Sequence, residues 1–90
     1  MSVTLIIPSY LQTYTDDLET VEVAGNTVGE CFNSLVNKYQ KIKKMLFNDD
    51  GKLHSYIGVY INSEDVSTDG LSSPLKDGDK VHVTYIIGGG

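Results

Sequence analysis

The sequence contains the pattern of one amphipathic helix, with patterns typical of β-strands before and after it. This order restricts the possible folds more than any other feature of the sequence. Apolar residues recur at steps of three and four over residues 28–39, the spacing of one apolar helix face. Thr27 and Glu30 have the Thr-x-x-Glu spacing of a capping box, in which each side chain satisfies a free backbone amide of the other. We therefore predict a helix that begins at Val28. Its apolar face contains Val28, Cys31, Phe32, Leu35, Val36 and Tyr39.

Alternating apolar and polar residues predict strands before and after this helix. Residues 3–7 and 21–23 show the alternation before the helix, and residues 57–61 show it afterwards. A last strand is expected over residues 80–87, after an Asp-Gly turn signal. The turn-rich segment 66–75 can supply at most one short edge strand.

Two strands, one helix and further strands predict an α+β fold. We expect a mixed sheet of four to five strands with one main helix across one face, and a later strand parallel to the first. The polar stretch 9–17 is expected to be a long loop, and residues 42–47 a short extra turn. Ninety residues are enough for one domain. We assign residues 1–87 to that domain and residues 88–90 to a flexible glycine tail.

Charge and cysteine content restrict the class of function. The formal net charge of −5 argues against nucleic acid, which is bound by basic surfaces. Cys31 is the only cysteine, so it cannot form an intramolecular disulfide or by itself hold a metal, and its position on the apolar helix face predicts a core thiol. No apolar run has membrane-spanning length. We expect a cytoplasmic chain that binds proteins, with no metal site and no membrane partner.

Three consecutive glycines, Gly88, Gly89 and Gly90, end the sequence. Glycine has no Cβ, so such a segment can stay extended and enter a channel that is too narrow for other residues. A terminal carboxylate on Gly90 would need chemical activation before it could react. The alternative interpretation is an inert, frayed end, because chain termini are commonly disordered.

The sequence LKDGDKV at residues 75–81, followed by a strand and a glycine end, resembles the ubiquitin-like sulfur carriers of molybdopterin, thiamine and cysteine biosynthesis. The β-strand and helix order, the GNTV entry to the helix at residues 25–28 and the YIN segment at residues 60–62 extend the resemblance over the whole chain. The GKLH segment at residues 51–54 and the EDV segment at residues 64–66 look most like the carriers that feed cysteine synthesis.

The resemblance implies a β-grasp fold and a carrier that is not itself an enzyme. An ATP-dependent, ubiquitin-activating-like enzyme would adenylate the Gly90 carboxylate, and a sulfur donor would displace AMP to leave a thiocarboxylate. Gly88 and Gly89 would pass through the active sites of the partners. The carrier would bind no cofactor, since ATP is used by the partner. The acceptor would be a biosynthetic enzyme, such as a pyridoxal-phosphate-dependent cysteine synthase.

The third glycine departs from the family, whose activated end is Gly-Gly. We expect Gly90 to be the activated residue and Gly88 to lengthen the tail, and the alternative is that Gly90 is trimmed first. Partners are expected to dock on the sheet face opposite the helix, where exposed aromatic and apolar groups suggest binding. The candidate docking residues are Tyr56, Tyr60, His82, Thr84, Ile86 and Ile87.

Other positions have simpler interpretations. The lysines over residues 38–44 are expected to be a solvated helix end, with docking of an acidic partner as the alternative. His54 and His82 have no cysteine or carboxylate pattern around them that would define a catalytic site, so we expect both on the surface.

Several functions are known for β-grasp proteins that end in glycines. The alternatives to a cysteine-pathway carrier are a thiamine sulfur carrier, the small subunit of molybdopterin synthase, and a ubiquitin-like modifier joined to lysines. A β-grasp interaction domain with an inert tail is the generic alternative.

Overall fold

The strand patterns form one mixed sheet in the computed structural model, which describes residues 2–85. Its five strands are β1 (Ser2–Ile6), β2 (Thr20–Ala24), β3 (Ile57–Ile61), β4 (Glu64–Asp65) and β5 (Lys80–Tyr85). Their order across the sheet is β2-β1-β5-β3-β4. The first and last strands, β1 and β5, are parallel neighbours, and the other pairs are antiparallel. The predicted mixed sheet and its parallel central pair are confirmed.

The main helix, α1 (Val28–Lys38), begins where the capping box predicts. The Thr27 side chain accepts a hydrogen bond from the Glu30 amide at 3.2 Å. The second bond differs from the prediction, because the Glu30 carboxylate accepts from the amide of Asn26, at 2.8 Å, and not from that of Thr27. Both bonds still satisfy backbone donors at the entry to the helix.

Two of the three irregular segments differ from the sequence prediction. The stretch predicted to be a loop contains a 3₁₀ helix, Ser9–Tyr14, which buries Leu11. The short edge strand is Glu64–Asp65 and lies before the segment 66–75, which instead contains the 3₁₀ helix Gly70–Ser72. Two short turns follow α1, the 3₁₀ helix Gln40–Ile42 and α2 (Lys43–Leu46). The last of these agrees with the predicted extra turn.

The core lies between one face of the sheet and α1. Side chains at alternate positions of the four longer strands point to this face, and the predicted helix stripe covers them. Val36 and Tyr39, the outer members of the stripe, are only partly buried. Buried sheet residues are Val3, Leu5, Val21, Val23, Ile57, Val59, Val81 and Val83, and buried α1 residues are Val28, Cys31, Phe32 and Leu35.

Within residues 2–85, no helix combines the length and apolarity that a membrane crossing requires. The predicted tail, Gly88 to Gly90, lies outside the described residues, as do Ile86 and Ile87.

Candidate functional site

The LKDGDKV segment forms a turn that fixes the start of β5. Gly78 has a φ of 86°, in the region where glycine is favoured, and its amide donates to the Ser2 carbonyl at 2.8 Å. The Asp77 carboxylate accepts from the Ser2 amide at 2.8 Å. These bonds hold the Asp-Gly turn against the first residue of β1.

A second set of bonds joins this turn to the end of β3. Asp79 accepts from the Lys76 amide at 2.9 Å and from the Asn62 side-chain amide at 3.2 Å. The Asn62 side-chain oxygen accepts from the Lys80 amide at 3.1 Å, and Asn62 itself has a φ of 59°. The motif therefore has a structural task, which is to fix the strand that leads to the tail.

The outer face of the sheet carries part of the predicted docking surface. Tyr60 of β3 lies directly opposite His82 of β5, and His82 is also the register partner of Ile6 in β1. Thr84 follows two residues later on the same face, opposite Gly58. Tyr60, His82 and Thr84 line one shallow depression. Sequence alternation identified these three, and the parallel register adds Ile6 to the row.

Tyr56 lies apart from this row, although the sequence grouped it with Tyr60. Strand β3 begins only at Ile57, so the alternation does not extend back to Tyr56, which packs against the core. Its ring centroid is 5.3 Å from that of Tyr85, the last described residue of β5. Tyr56 is thus at the end of the sheet from which the tail departs.

Four rings form an aromatic cluster at this end of the sheet: Tyr10, Tyr56, Tyr85 and His54. Tyr10 meets Tyr85 edge-to-face, with centroids 5.4 Å apart, and His54 stacks on Tyr56 at 4.9 Å with nearly parallel planes. His54 Nε2 lies 2.8 Å from the Lys44 carbonyl oxygen, so this nitrogen donates. Sequence analysis missed Tyr10 and Tyr85 as a pair because they are distant in the chain.

The cluster changes the ionisation of Tyr10. Its removal from water raises the pKa of the Tyr10 hydroxyl above the ordinary value of 10.0, with smaller contributions from Tyr56 and Tyr85. The rings still face solvent, since Tyr10 is 37% exposed and Tyr85 is 52% exposed. Aromatic surface of this size is therefore available to a partner next to the tail.

Cys31 is a core thiol, as predicted. It is fully buried on α1, and burial, followed by the charge of Glu30, raises its pKa. A raised pKa and no solvent access both reduce thiolate reactivity. This arrangement does not suit a sulfur-transfer nucleophile.

The lysines at the end of α1 and just after it are solvent-exposed, which agrees with a solvated helix end. Lys38 Nζ lies 5.8 Å from the centroid of the Tyr39 ring. Lys38 and Lys41 also line an open groove with Tyr14. The groove includes Asp16, so its lining carries both charges.

The tail that the sequence predicts to be reactive lies outside the described residues. Among residues 2–85, no group of three or more His, Cys, Asp or Glu side chains is arranged to hold a metal ion. What the described residues supply is a fixed final strand, an outer row on the sheet and an aromatic cluster beside the point of departure of the tail.

Comparison with known proteins assigns this chain to a family. The model of the ThiS family matches residues 5–90. The sulfur carrier protein CysO of Mycobacterium tuberculosis is 34% identical over 93 aligned positions that cover all of both chains. The match therefore includes the strand, the turn motif and the glycine end.

Solved structures agree with this assignment. A chain in the crystal structure of the Amycolatopsis orientalis BexX/CysO complex is 38% identical, with a TM-score of 0.86, and the match covers 98% of this chain and 99% of that one. SAMP1 from Haloferax volcanii is 26% identical, with a TM-score of 0.84 and complete coverage of both chains. The fold is thus the ubiquitin-like β-grasp fold that the sequence predicts.

Proposed function

This chain belongs to the ThiS family of ubiquitin-like sulfur carriers, and we propose that it carries sulfur for the biosynthesis of cysteine. The observation that carries the proposal is the similarity to CysO, which runs over the full length of the chain and therefore includes the glycine end. A CysO protein is 34% identical to this chain, and a chain of the BexX/CysO complex is 38% identical.

The proposed reaction takes place at the tail. The Gly90 carboxylate attacks the α-phosphate of ATP in a partner enzyme and releases pyrophosphate, giving a mixed anhydride with AMP. A sulfur donor at the oxidation level of sulfide then attacks the acyl carbon, and AMP leaves. The product is a C-terminal thiocarboxylate. ATP belongs to the partner, and this chain binds no cofactor of its own.

The carrier contributes position and not catalysis. The three glycines pass the reacting end into active sites from which water is excluded, and the folded domain gives each partner a surface to bind. Attachment of the sulfur to a protein raises its effective concentration at the acceptor enzyme. The acceptor is a synthase that accepts sulfur from a thiocarboxylate, of the pyridoxal-phosphate-dependent cysteine synthase type.

The outer row of the sheet is proposed as a docking surface. The outer row formed by Tyr60, His82 and Thr84 lies on the sheet face that α1 leaves uncovered, and Ile86 and Ile87 continue the chain toward Gly90. The CysO of Amycolatopsis orientalis was crystallised as a complex with BexX, so a relative of this chain forms a protein complex. We propose that this chain likewise acts through partner proteins, in the cytoplasm, where its one buried cysteine stays reduced.

The test is the intact mass of the protein from its own cells, with fragmentation of its last residues. A terminal oxygen replaced by sulfur on Gly90 supports the carrier role and identifies the mature end. A plain carboxylate that also resists ATP and the activating enzyme contradicts it. The modifier alternative predicts instead Gly-Gly remnants in isopeptide linkage to lysines of other proteins.

A further inference from the structure

We propose that the aromatic cluster is a docking surface for the activating enzyme. The residues around the entrance to the enzyme's active site would bind there, with Tyr10 and Tyr85 as the direct contacts. The inference rests on the proposed function, because it names the part of the domain that contacts the enzyme adenylating Gly90. The occupant is a protein surface around a narrow channel, and not a small ligand.

The first argument is distance along the chain. Five residues follow Tyr85, and five extended residues reach at most about 18 Å. Any enzyme that encloses Gly90 in a channel must therefore bring the rim of that channel close to Tyr85. The residues around Tyr85 are thus obligatory neighbours of the enzyme.

The second argument is the exposure of the rings at that place. Tyr10 and Tyr85 are two of the three large hydrophobic side chains that are most exposed in the described part of the chain, at 37% and 52%. They contact each other edge-to-face, so they form one patch and not two isolated residues. Tyrosine is enriched in the centres of protein interfaces, because it offers a large apolar area and a polar hydroxyl.

The third argument is that the patch is held in place before binding. Tyr56 packs against Tyr85, His54 stacks on Tyr56, and the His54 ring is hydrogen-bonded to the Lys44 carbonyl. Rings that are already ordered lose little conformational freedom when a partner covers them. Strand β5 itself is fixed at its far end by the Asn62 and Asp79 bonds.

The chemistry of the patch indicates the chemistry of the partner. Aromatic faces favour apolar side chains and the planar guanidinium of arginine, and the chain carries a net charge of −5, which favours a basic partner surface. The expected rim therefore presents aliphatic and arginine side chains.

The experiment is ATP–pyrophosphate exchange by the activating enzyme, with full-length Tyr10→Ala, Tyr85→Ala and the double variant as substrates. We expect KM for the carrier to rise about thirtyfold or more in each single variant, the size of loss at which a truncated interface residue counts as a hot spot, while kcat changes little. Tyr85→Phe retains the ring and is expected to stay close to wild type. Lys76→Ala, at the opposite end of β5, is the control.

Each outcome has a distinct meaning once thermal unfolding has shown that the variants are folded. An unchanged KM in both alanine variants contradicts the cluster as a docking surface while the proposed function stands. A fall in kcat at constant KM also contradicts it, since the rings would then position the tail without binding the enzyme. A wild-type chain that is never adenylated contradicts the proposed function itself, and the inference fails with it.

Discussion

Gly25 approaches Cys31 so closely that a Cβ at Gly25 would lie 2.8 Å from the Cys31 Sγ and 2.9 Å from its backbone nitrogen. Real Cβ atoms essentially never come this near to another heavy atom. The GNTV segment at residues 25–28, part of the family resemblance, therefore begins with glycine for a packing reason. The chain passes from β2 into α1 directly against the helix.

The Gly25→Ala variant is expected to be less stable than wild type by about 1–3 kcal/mol, the usual cost of overpacking a close contact. The physical reason is that the backbone nitrogen of Cys31 cannot rotate away as a side chain can. Urea unfolding followed by circular dichroism gives the difference. The control is Asn33→Ala on the exposed face of the same helix, for which we expect no loss. Equal stability of Gly25→Ala and wild type would show that the contact relaxes freely.

Cys31 is expected to react slowly with iodoacetamide in the folded protein. Its thiol is fully buried and its pKa is raised by burial, so alkylation requires local or global opening of the domain. We expect the rate in buffer at pH 8 to be lower than the rate in 8 M urea by about a hundredfold or more. Mass spectrometry of the alkylated chain measures both rates, and comparable rates would mean that the thiol is accessible. Cys31→Ala should still form the thiocarboxylate.

The helix and the long strands could be predicted because their signals are local. Thr27, Glu30 and the apolar spacing that follows lie within a few turns of one another, and alternation shows in any strand of five residues. The edge strand Glu64–Asp65 has only two residues, both charged, so it has no alternation to detect. The 3₁₀ helix Ser9–Tyr14 likewise lacks the long apolar period by which α-helices are recognised.

The site was predicted only in part, for a related reason. The pairing of Tyr60 with His82 follows from alternation once the strands are neighbours. The contact between Tyr10 and Tyr85 depends on how the 3₁₀ helix after β1 folds over the end of β5, and no local pattern encodes that. Gly29 also has a neighbour that is distant in the chain, since a Cβ there would lie 3.1 Å from the Leu71 carbonyl oxygen.

Asn62 is expected to stabilise the fold both through its side-chain bonds and through its backbone conformation. Its φ of 59° favours glycine or asparagine, and its side chain bonds Asp79 and Lys80. Asn62→Ala loses both effects, and we expect a loss of roughly 2 kcal/mol. Asn62→Gly keeps the backbone conformation and loses the bonds, so about 1 kcal/mol is expected. Thermal or urea unfolding compares them, and a glycine variant no more stable than the alanine variant would argue against the conformational term.

Tyr10 is expected to make the domain less stable at alkaline pH. Its pKa is raised in the folded protein, chiefly by burial and then by Tyr56 and Tyr85, so the unfolded chain releases this proton at a lower pH than the folded chain. The associated stability is fully present below pH 10 and is lost as the pH rises through the folded pKa. Urea unfolding at pH 9 and pH 11 should show a smaller loss for Tyr10→Phe than for wild type. Cys31 titrates in the same direction but is present in both proteins, so an identical loss would contradict the contribution of Tyr10.

The three glycines allow the effect of tail length to be separated from the effect of the last residue. Removing any one of them gives the same shorter chain, which ends in Gly-Gly directly after Ile87 and reaches about 3.5 Å less far. If the last two glycines are the working pair and Gly88 only lengthens the tail, this chain should still be adenylated, within about tenfold of the wild-type rate.

Gly90→Ala keeps the length but places a Cβ on the reacting residue, and we expect adenylation to fall by about a hundredfold or more, the scale of loss when reacting atoms are misplaced by about 1 Å. ATP–pyrophosphate exchange measures both variants, and far-UV circular dichroism should be unchanged in both. Complete loss in the shorter chain would instead mean that the distance from the domain to the reacting carboxylate is fixed by the enzyme, and normal exchange with Gly90→Ala would contradict the requirement for glycine at the reacting residue.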